Sequence, residues 1–285
     1  MRRTVPIRPL ILLLMLLVAG PGQAGAALEV AGRLMQGGLL IGRVVPGARV
    51  RLDGDTVPVA PDGRFVIGFG RDAPPAHVIE VTQPDGGVER HRLEVAARHY
   101  RIERVDGLPE KTVTLPPEYH ARRARETALV REARAVVSDR LDWEQGFILP
   151  AEGRISGVYG SQRILNGKPR WPHYGLDVAA PAGTPVVAPA GGIVRLAEPD
   201  FLLEGGILVI DHGFGVSSTL MHLSRIDVVV GEEVRKGQQV GAIGATGRAS
   251  GPHVDWRINW REVRLDPGLV VDLPAAPDTR QTGAR

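Results

Sequence analysis

The chain has 285 residues, with 35 Lys and Arg against 32 Asp and Glu, 8 His and no Cys. That length suggests two domains rather than one core, and the missing Cys excludes disulfide scaffolds, thiolate metal sites and cysteine nucleophiles. The net excess of +3 equals Arg2, Arg3 and Arg8 alone, and the remaining 32 basic side chains balance 32 acidic ones, so no basic surplus is left for nucleic acid as a partner.

The three N-terminal arginines precede an unbroken apolar run, Leu10 to Ala19, then Pro21-Gly22 and the small residues Ala24-Gly25-Ala26. This is the layout of a cleaved secretory signal peptide over residues 1–26. The run is about half the roughly 20 residues that span a bilayer. The expectation is an exported protein with no stable membrane insertion after cleavage.

Residues 28–110 read as all-β. Short runs rich in Val, Ile and Leu (33–35, 39–45, 48–52, 64–69, 78–82, 89–95 and 100–105) alternate with Pro46-Gly47, Asp53-Gly54, Asp62-Gly63 and Asp85-Gly86. Asx-Gly pairs suit tight hairpins, and many short strands in so few residues predict an accessory β-sandwich-like domain. His77, His91 and His99 are scattered there and read as structural. Pro116-Pro117 opens a Gly- and Pro-free stretch with Ala121, Ala124, Ala128, Leu129, Ala133, Val136, Val137 and Leu141 at helical spacing. This predicts one amphipathic linker helix over 117–142. Strand-and-turn patterning returns over 147–272, with Asn166-Gly167 as a hairpin turn, and the tail 273–285 is expected to fray. The predicted class is mainly β: a sandwich-like domain, a connecting helix and a C-terminal antiparallel sheet domain.

The second half concentrates the chemistry. His173 and Asp177 stand four apart in Trp171-Pro172-His173-Tyr174-Gly175-Leu176-Asp177, a non-helical setting. Imidazole and carboxylate are both zinc donors. His222 follows a strand pattern in Leu220-Met221-His222-Leu223-Ser224. In Gly251-Pro252-His253-Val254-Asp255-Trp256-Arg257 a strand would place His253, Asp255 and Arg257 on one face. His212, in Asp211-His212-Gly213, is explained by the turn itself.

In order and spacing these three segments resemble the zinc metallopeptidases of the lysostaphin and LytM type, which are peptidoglycan endopeptidases. The likeness spans about 147–269 and includes Ala180-Pro181-Ala182-Gly183-Thr184-Pro185 and Gly244-Ala245-Thr246-Gly247. The region before it is similar, more weakly, to exported Gram-negative members, notably at Gly107-Leu108-Pro109. The resemblance implies zinc held by His173, Asp177 and Asp255, with His222 and His253 handling protons. It also implies cell-wall stem or cross-link peptides as substrate, a periplasmic or envelope location, and cell-wall hydrolases among potential partners.

Two positions depart from the pattern. Asp255 stands where the family's H-x-H motif has its second His, and Leu220 where relatives carry a Tyr. Two carboxylates would cancel the charge of a divalent ion, and Arg257 could pair with Asp255 in competition with the metal. The leading expectation is therefore a zinc endopeptidase. The alternative is a catalytically degenerate relative that binds cell wall or regulates another hydrolase. A third reading, a carrier module suggested by the turn-and-strand pattern from Gly231 to Gly244, lacks the residues that flank a carrier lysine.

Overall fold

The computed structural model describes residues 28–106 and 116–273. The signal segment, Gly107-Leu108-Pro109 and the tail from residue 274 lie outside the described residues.

The N-terminal part carries β1 (Glu29–Gly32), β2 (Leu39–Arg43), β3 (Arg49–Leu52), β4 (Asp55–Val57), β5 (Arg64–Gly68), β6 (Ala76–Thr82), β7 (Val88–Glu94) and β8 (Ile102–Val105). The first seven form two antiparallel sheets, β1-β2-β5 and β4-β3-β6-β7. Alternation decides their faces: Val50 and Leu52 are buried while Arg49 and Arg51 are exposed. The inward residues of both sheets, among them Leu40, Phe65, Ile67, Ile79 and Val81, share one core. Asp53 and Gly54 both take positive φ, 50° and 92°, as a tight β3–β4 hairpin requires. The first strand starts earlier than expected. It breaks at Gly32 (φ 131°), and of the predicted run 33–35 only Met35 makes a β-bridge, an isolated one to Ala96 just past β7.

The helix is shorter than predicted. A 3-10 turn at Pro117–Tyr119 leads into α1 (His120–Ala135), and Val136 is already extended at φ −67°, ψ 125°. The β-branched pair Val136-Val137 loses side-chain freedom in a helix. The extended course also lets the Ser138 carbonyl accept the Phe214 N–H at 2.8 Å, a tertiary bond no periodicity foretells.

The C-terminal part carries β9 (Arg154–Gly157), β10 (Gln162–Leu165), β11 (Lys168–Pro169), β12 (Leu176–Ala179), β13 (Pro185–Val187), β14 (Gly192–Phe201), β15 (Gly205–Gly213), β16 (Val216–Ile226), β17 (Glu233–Val234), β18 (Gln239–Ile243), β19 (His253–Trp260) and β20 (Val263–Leu265). The main sheet runs β17-β14-β15-β16-β19-β12-β9, with β13–β18 pairing onto β16 and β20 onto β19. One face is apolar: Leu208, Ile210, Leu220, Val254, Trp256 and Ile258 are buried in the main core. The other carries Asp177, Asp255, Met221, Thr219 and Arg257, paired across strands as Asp177↔Asp255, Met221↔Asp255 and Thr219↔Arg257. Residues directly opposite in an antiparallel pair share a face.

Helix α1 covers the β14–β16 side of this second face. Ala133, with Leu129 and Val130, packs on Leu196, Phe201, Ile207, Val209 and Met221. Its polar residues hold on as well: Arg123 pairs with Glu204 at 2.6 Å and Arg134 donates to Thr219 Oγ1 at 2.7 Å. The β12–β19 side carries the site. The N-terminal part is joined to that side, because β8 runs parallel beside β10 and Arg98 pairs with Asp266 at 2.7 Å.

Candidate metal centre

Asp177 and Asp255 face each other on β12 and β19, and His173 reaches them from the loop before β12. Its Nε2 lies 3.0 Å from Asp177 Oδ1 and 3.3 Å from Asp255 Oδ2. One donor atom from each residue lies within 4.8 Å of the others. The three thus form a group able to hold a metal ion.

Three observations test the fit. His173 Nδ1 sits 3.2 Å from the Val158 carbonyl. A carbonyl only accepts, so Nδ1 carries the proton and Nε2 faces the carboxylates, as metal-binding imidazoles are oriented. Asp177 Oδ1 is buried and has no hydrogen-bond partner: its contact with His173 is a charge contact, off the hydrogen-bond line. Such an oxygen is costly unless something satisfies it, and a cation between the three residues would. Lastly, the carboxylates occupy niches that a side chain would fill. A Cβ on Gly175 would meet Asp255 Oδ1 at 2.0 Å, and one on Gly157 would meet Asp177 Oδ2 at 2.1 Å.

The charges agree with this geometry. Burial disfavours the His173 cation, but Asp177 and Asp255 outweigh it and push the imidazole up to about 10. Burial also opposes the Asp255 carboxylate, yet Arg257 and His173 prevail and hold it well below the usual range. Without an ion, the charge on His173 offsets the carboxylates, while Asp177 Oδ1 still has no hydrogen-bond donor. Arg257 donates Nη2 to Asp255 Oδ2 at 2.7 Å and Nε to Oδ1 at 3.2 Å, the pairing its place on the strand face suggested.

His222 and His253 come together with rings 4.7 Å apart and tilted 47°. His222 lies in a bulge of β16. Gly206 pairs with Leu223 and Leu208 with Leu220, so Met221 and His222 oppose the single residue Ile207. His222 takes φ 65°, a conformation uncommon for any residue but Gly. Bulges of this kind re-aim side chains beside sites, and backbone strain of this sort clusters there. His222 Nδ1 donates to the Thr246 carbonyl at 2.9 Å and His253 Nδ1 to the Gly251 carbonyl at 2.8 Å, which leaves both Nε2 atoms as proton acceptors. Burial lowers the His222 pKa, while Thr246 and Asp255 pull the other way.

Leu220 does not belong to this site. It is fully buried on the apolar face opposite Trp256, so a side chain there serves the core. His212 is structural: it is fully buried, with Nδ1 2.6 Å from the Gly191 carbonyl and Nε2 2.8 Å from Ser218 Oγ. His77 pairs with Asp53 and His91 with Glu89, away from the centre. Lys236 donates to the Gln145 carbonyl at 2.6 Å, which gives it a structural task in place of a carrier one. A cavity of about 680 Å³ opens between the two parts of the chain, lined by Arg71, His77, Tyr174 and Arg264, and not on the metal group.

Sequence reasoning missed the parts that carry no chemistry of their own. The Val158 carbonyl and the niches at Gly157 and Gly175 are examples. The brace on the His173 loop is another: Gly160 N–H donates to the His173 carbonyl at 2.7 Å, and Arg71 Nε donates to the Gly160 carbonyl at 3.0 Å. Tyr100 packs so closely that a Cβ on Gly160 would meet its ring at 2.0 Å. Gly175 lies between His173 and Asp177 in the sequence, and that position is the signal it offers.

Residues 171–267 match the profile of Peptidase family M23. A Pseudomonas aeruginosa protein, whose crystal structure is described as that of a peptidase M23, aligns with 84% of this chain and 95% of its own. That alignment has 30% identity and a TM-score of 0.66. The peptidoglycan DD-endopeptidase ShyA of Vibrio cholerae is 35% identical over 115 residues, which are 40% of this chain and 26% of that protein. The match to this curated relative therefore spans about a quarter of its length. A Vibrio cholerae structure described as a zinc-containing peptidase covers 80% of this chain and 87% of its own, with 20% identity and a TM-score of 0.42.

Proposed function

We propose that this chain, which belongs to peptidase family M23, is an exported zinc metalloendopeptidase that hydrolyses peptide bonds in bacterial peptidoglycan. The observation that carries this reading is the convergence of His173, Asp177 and Asp255 on one point, beside two histidines whose Nδ1 atoms are both tied to backbone carbonyls. Zinc held by the three residues would supply a Lewis acid for the scissile carbonyl.

The chain's own residues supply the proton handling. His222 is kept neutral by burial, so its Nε2 can take a proton from the attacking water. The imidazolium that results is favoured by the Thr246 carbonyl and the Asp255 and Asp177 charges. That proton then passes from His222 Nε2 to the leaving amine as the C–N bond breaks, directly or by way of the free Nε2 of His253, whose ring is in contact with that of His222. An imidazole serves both steps because its ordinary pKa lies near 6.5. The substrate class follows the relatives' described activity, and the layout of residues 1–26 supports export. Among the described residues no helix is long and apolar enough to cross a membrane.

The Arg257–Asp255 pair favours a second reading, a degenerate family member that binds cell wall or regulates another hydrolase. Purified protein incubated with isolated peptidoglycan and zinc decides between them. Release of peptides that disappears in His222→Ala supports the enzyme. No release with any divalent metal between pH 5 and pH 9 leaves the second reading.

A further inference from the structure

We propose that Arg257 is a positioning residue of the metal centre, which pairs with Asp255 to form one net-neutral unit in the place of a neutral ligand. This rests on the metallopeptidase reading above and goes beyond it. Two carboxylate ligands and a neutral imidazole would leave a divalent ion with no net charge, and an ion so neutralised polarises a carbonyl poorly. Arg257 returns one positive charge at the shortest distance available. Its Nη2 lies 2.7 Å from Asp255 Oδ2.

Several features make the unit a built one. Both side chains are largely withdrawn from solvent, Asp255 at 4% and Arg257 at 23% exposure, so their charges act on the site with little screening. Arg257 has no other carboxylate within ion-pair distance among the described residues. Its strand register sets it opposite Thr219, directly along the sheet from the Met221↔Asp255 pair. Asp255 is fixed from the other side by the Gly175 niche. Arg257 does not have to leave for an ion to enter. Arg257 approaches from one side, with Nη2 2.7 Å from Oδ2 and Nε 3.2 Å from each oxygen, while Oδ2 meets His173 Nε2 at 3.3 Å, the contact an ion between the two would replace. The guanidinium thus acts on the ion through Asp255, by offsetting its charge, while the Gly175 niche fixes where the carboxylate lies. A residue that only blocked the site would have no need of the His173 contact.

The test is zinc affinity, measured by competition with a chromophoric chelator, with turnover on isolated peptidoglycan beside it. Removing the charge in Arg257→Met should tighten zinc about tenfold or more and slow turnover by a similar factor, as expected for a unit charge at this range. Arg257→Lys, which keeps the charge, should recover most of both. Asp255→His, with Arg257 retained, should weaken zinc binding about tenfold or more. Asp255→His/Arg257→Met should return it to within about threefold of the parent, a non-additivity that residues in direct contact show. A merely structural Arg257 would lose affinity and turnover together. Looser zinc in Arg257→Met, or a double variant no tighter than Asp255→His, would overturn the proposal. If the parent binds zinc and Arg257→Met leaves its affinity unmoved, this inference alone fails. If the parent binds no zinc, the metallopeptidase reading fails with it.

Discussion

Gly175→Ala is the most direct probe of the metal centre, because it adds one methyl group and no charge. The added Cβ would lie 2.0 Å from Asp255 Oδ1, 2.9 Å from the Trp256 carbonyl and 3.0 Å from Arg257 Cγ. Ordinary contact begins at 3.4 Å, so the oxygen must retreat by about 1.4 Å, well beyond the tolerance of about 0.5 Å for a group that must meet a metal. It has little room to do so: Arg257 holds the same carboxylate, and Asp255 is buried. Overpacking of this kind costs about 1–3 kcal/mol of stability, which should leave the chain folded. Displacing one of three ligands should weaken zinc by about a hundredfold, on the scale that a misplacement of about 1 Å costs a site. Chelator competition measures the affinity, and denaturant unfolding in the presence of chelator measures stability separately. Parent-like zinc affinity in Gly175→Ala would refute the placement of Asp255 in the metal group.

Three further outcomes follow from the same geometry. His222→Ala should lower kcat by roughly 10²–10⁴ with metal content equal to the parent, as atomic absorption and turnover together will show; zinc loss in that variant would make His222 a ligand instead. Tyr100→Ala should loosen the Gly160 turn that holds the His173 carbonyl and reduce zinc affinity by about tenfold, the range of outer-shell partners; no change would remove the brace. His212, whose pKa is lowered by burial, should make stability pH-dependent. Above about pH 6.5 the ring is neutral in both states. Below that, the unfolded chain takes a proton that the folded chain refuses, so stability falls by up to about 1.4 kcal/mol per pH unit until the folded His212 protonates. Unfolding free energies compared between the parent and His212→Gln should show a steeper fall below about pH 6.5 in the parent, by up to that amount; equal slopes would count against it.

The amino-acid sequence by itself determined which atoms were available. With no Cys, a metal could be met only by His, Asp and Glu, and the order of His173, Asp177, His222, His253 and Asp255 named the candidates. Strand alternation was equally legible, because a period of two is a local property: it placed Asp255 and Arg257 together and sent Trp256 to the core. Asx-Gly pairs marked the hairpins for the same reason.

The tertiary structure decided what depends on distant neighbours. Asp255 is 82 residues from His173, and only the β12–β19 register makes them meet. The β16 bulge re-aims His222 and leaves Leu220 in the core, a shift of register that no alternation within β16 reveals. Helix α1 stops at Ala135 because Ser138 is needed by Phe214. Gly157 and Gly175 matter for the room they leave, and empty space is a property of packing. Periodicity and residue type are written along the chain; convergence, register and vacant volume exist only once it has folded.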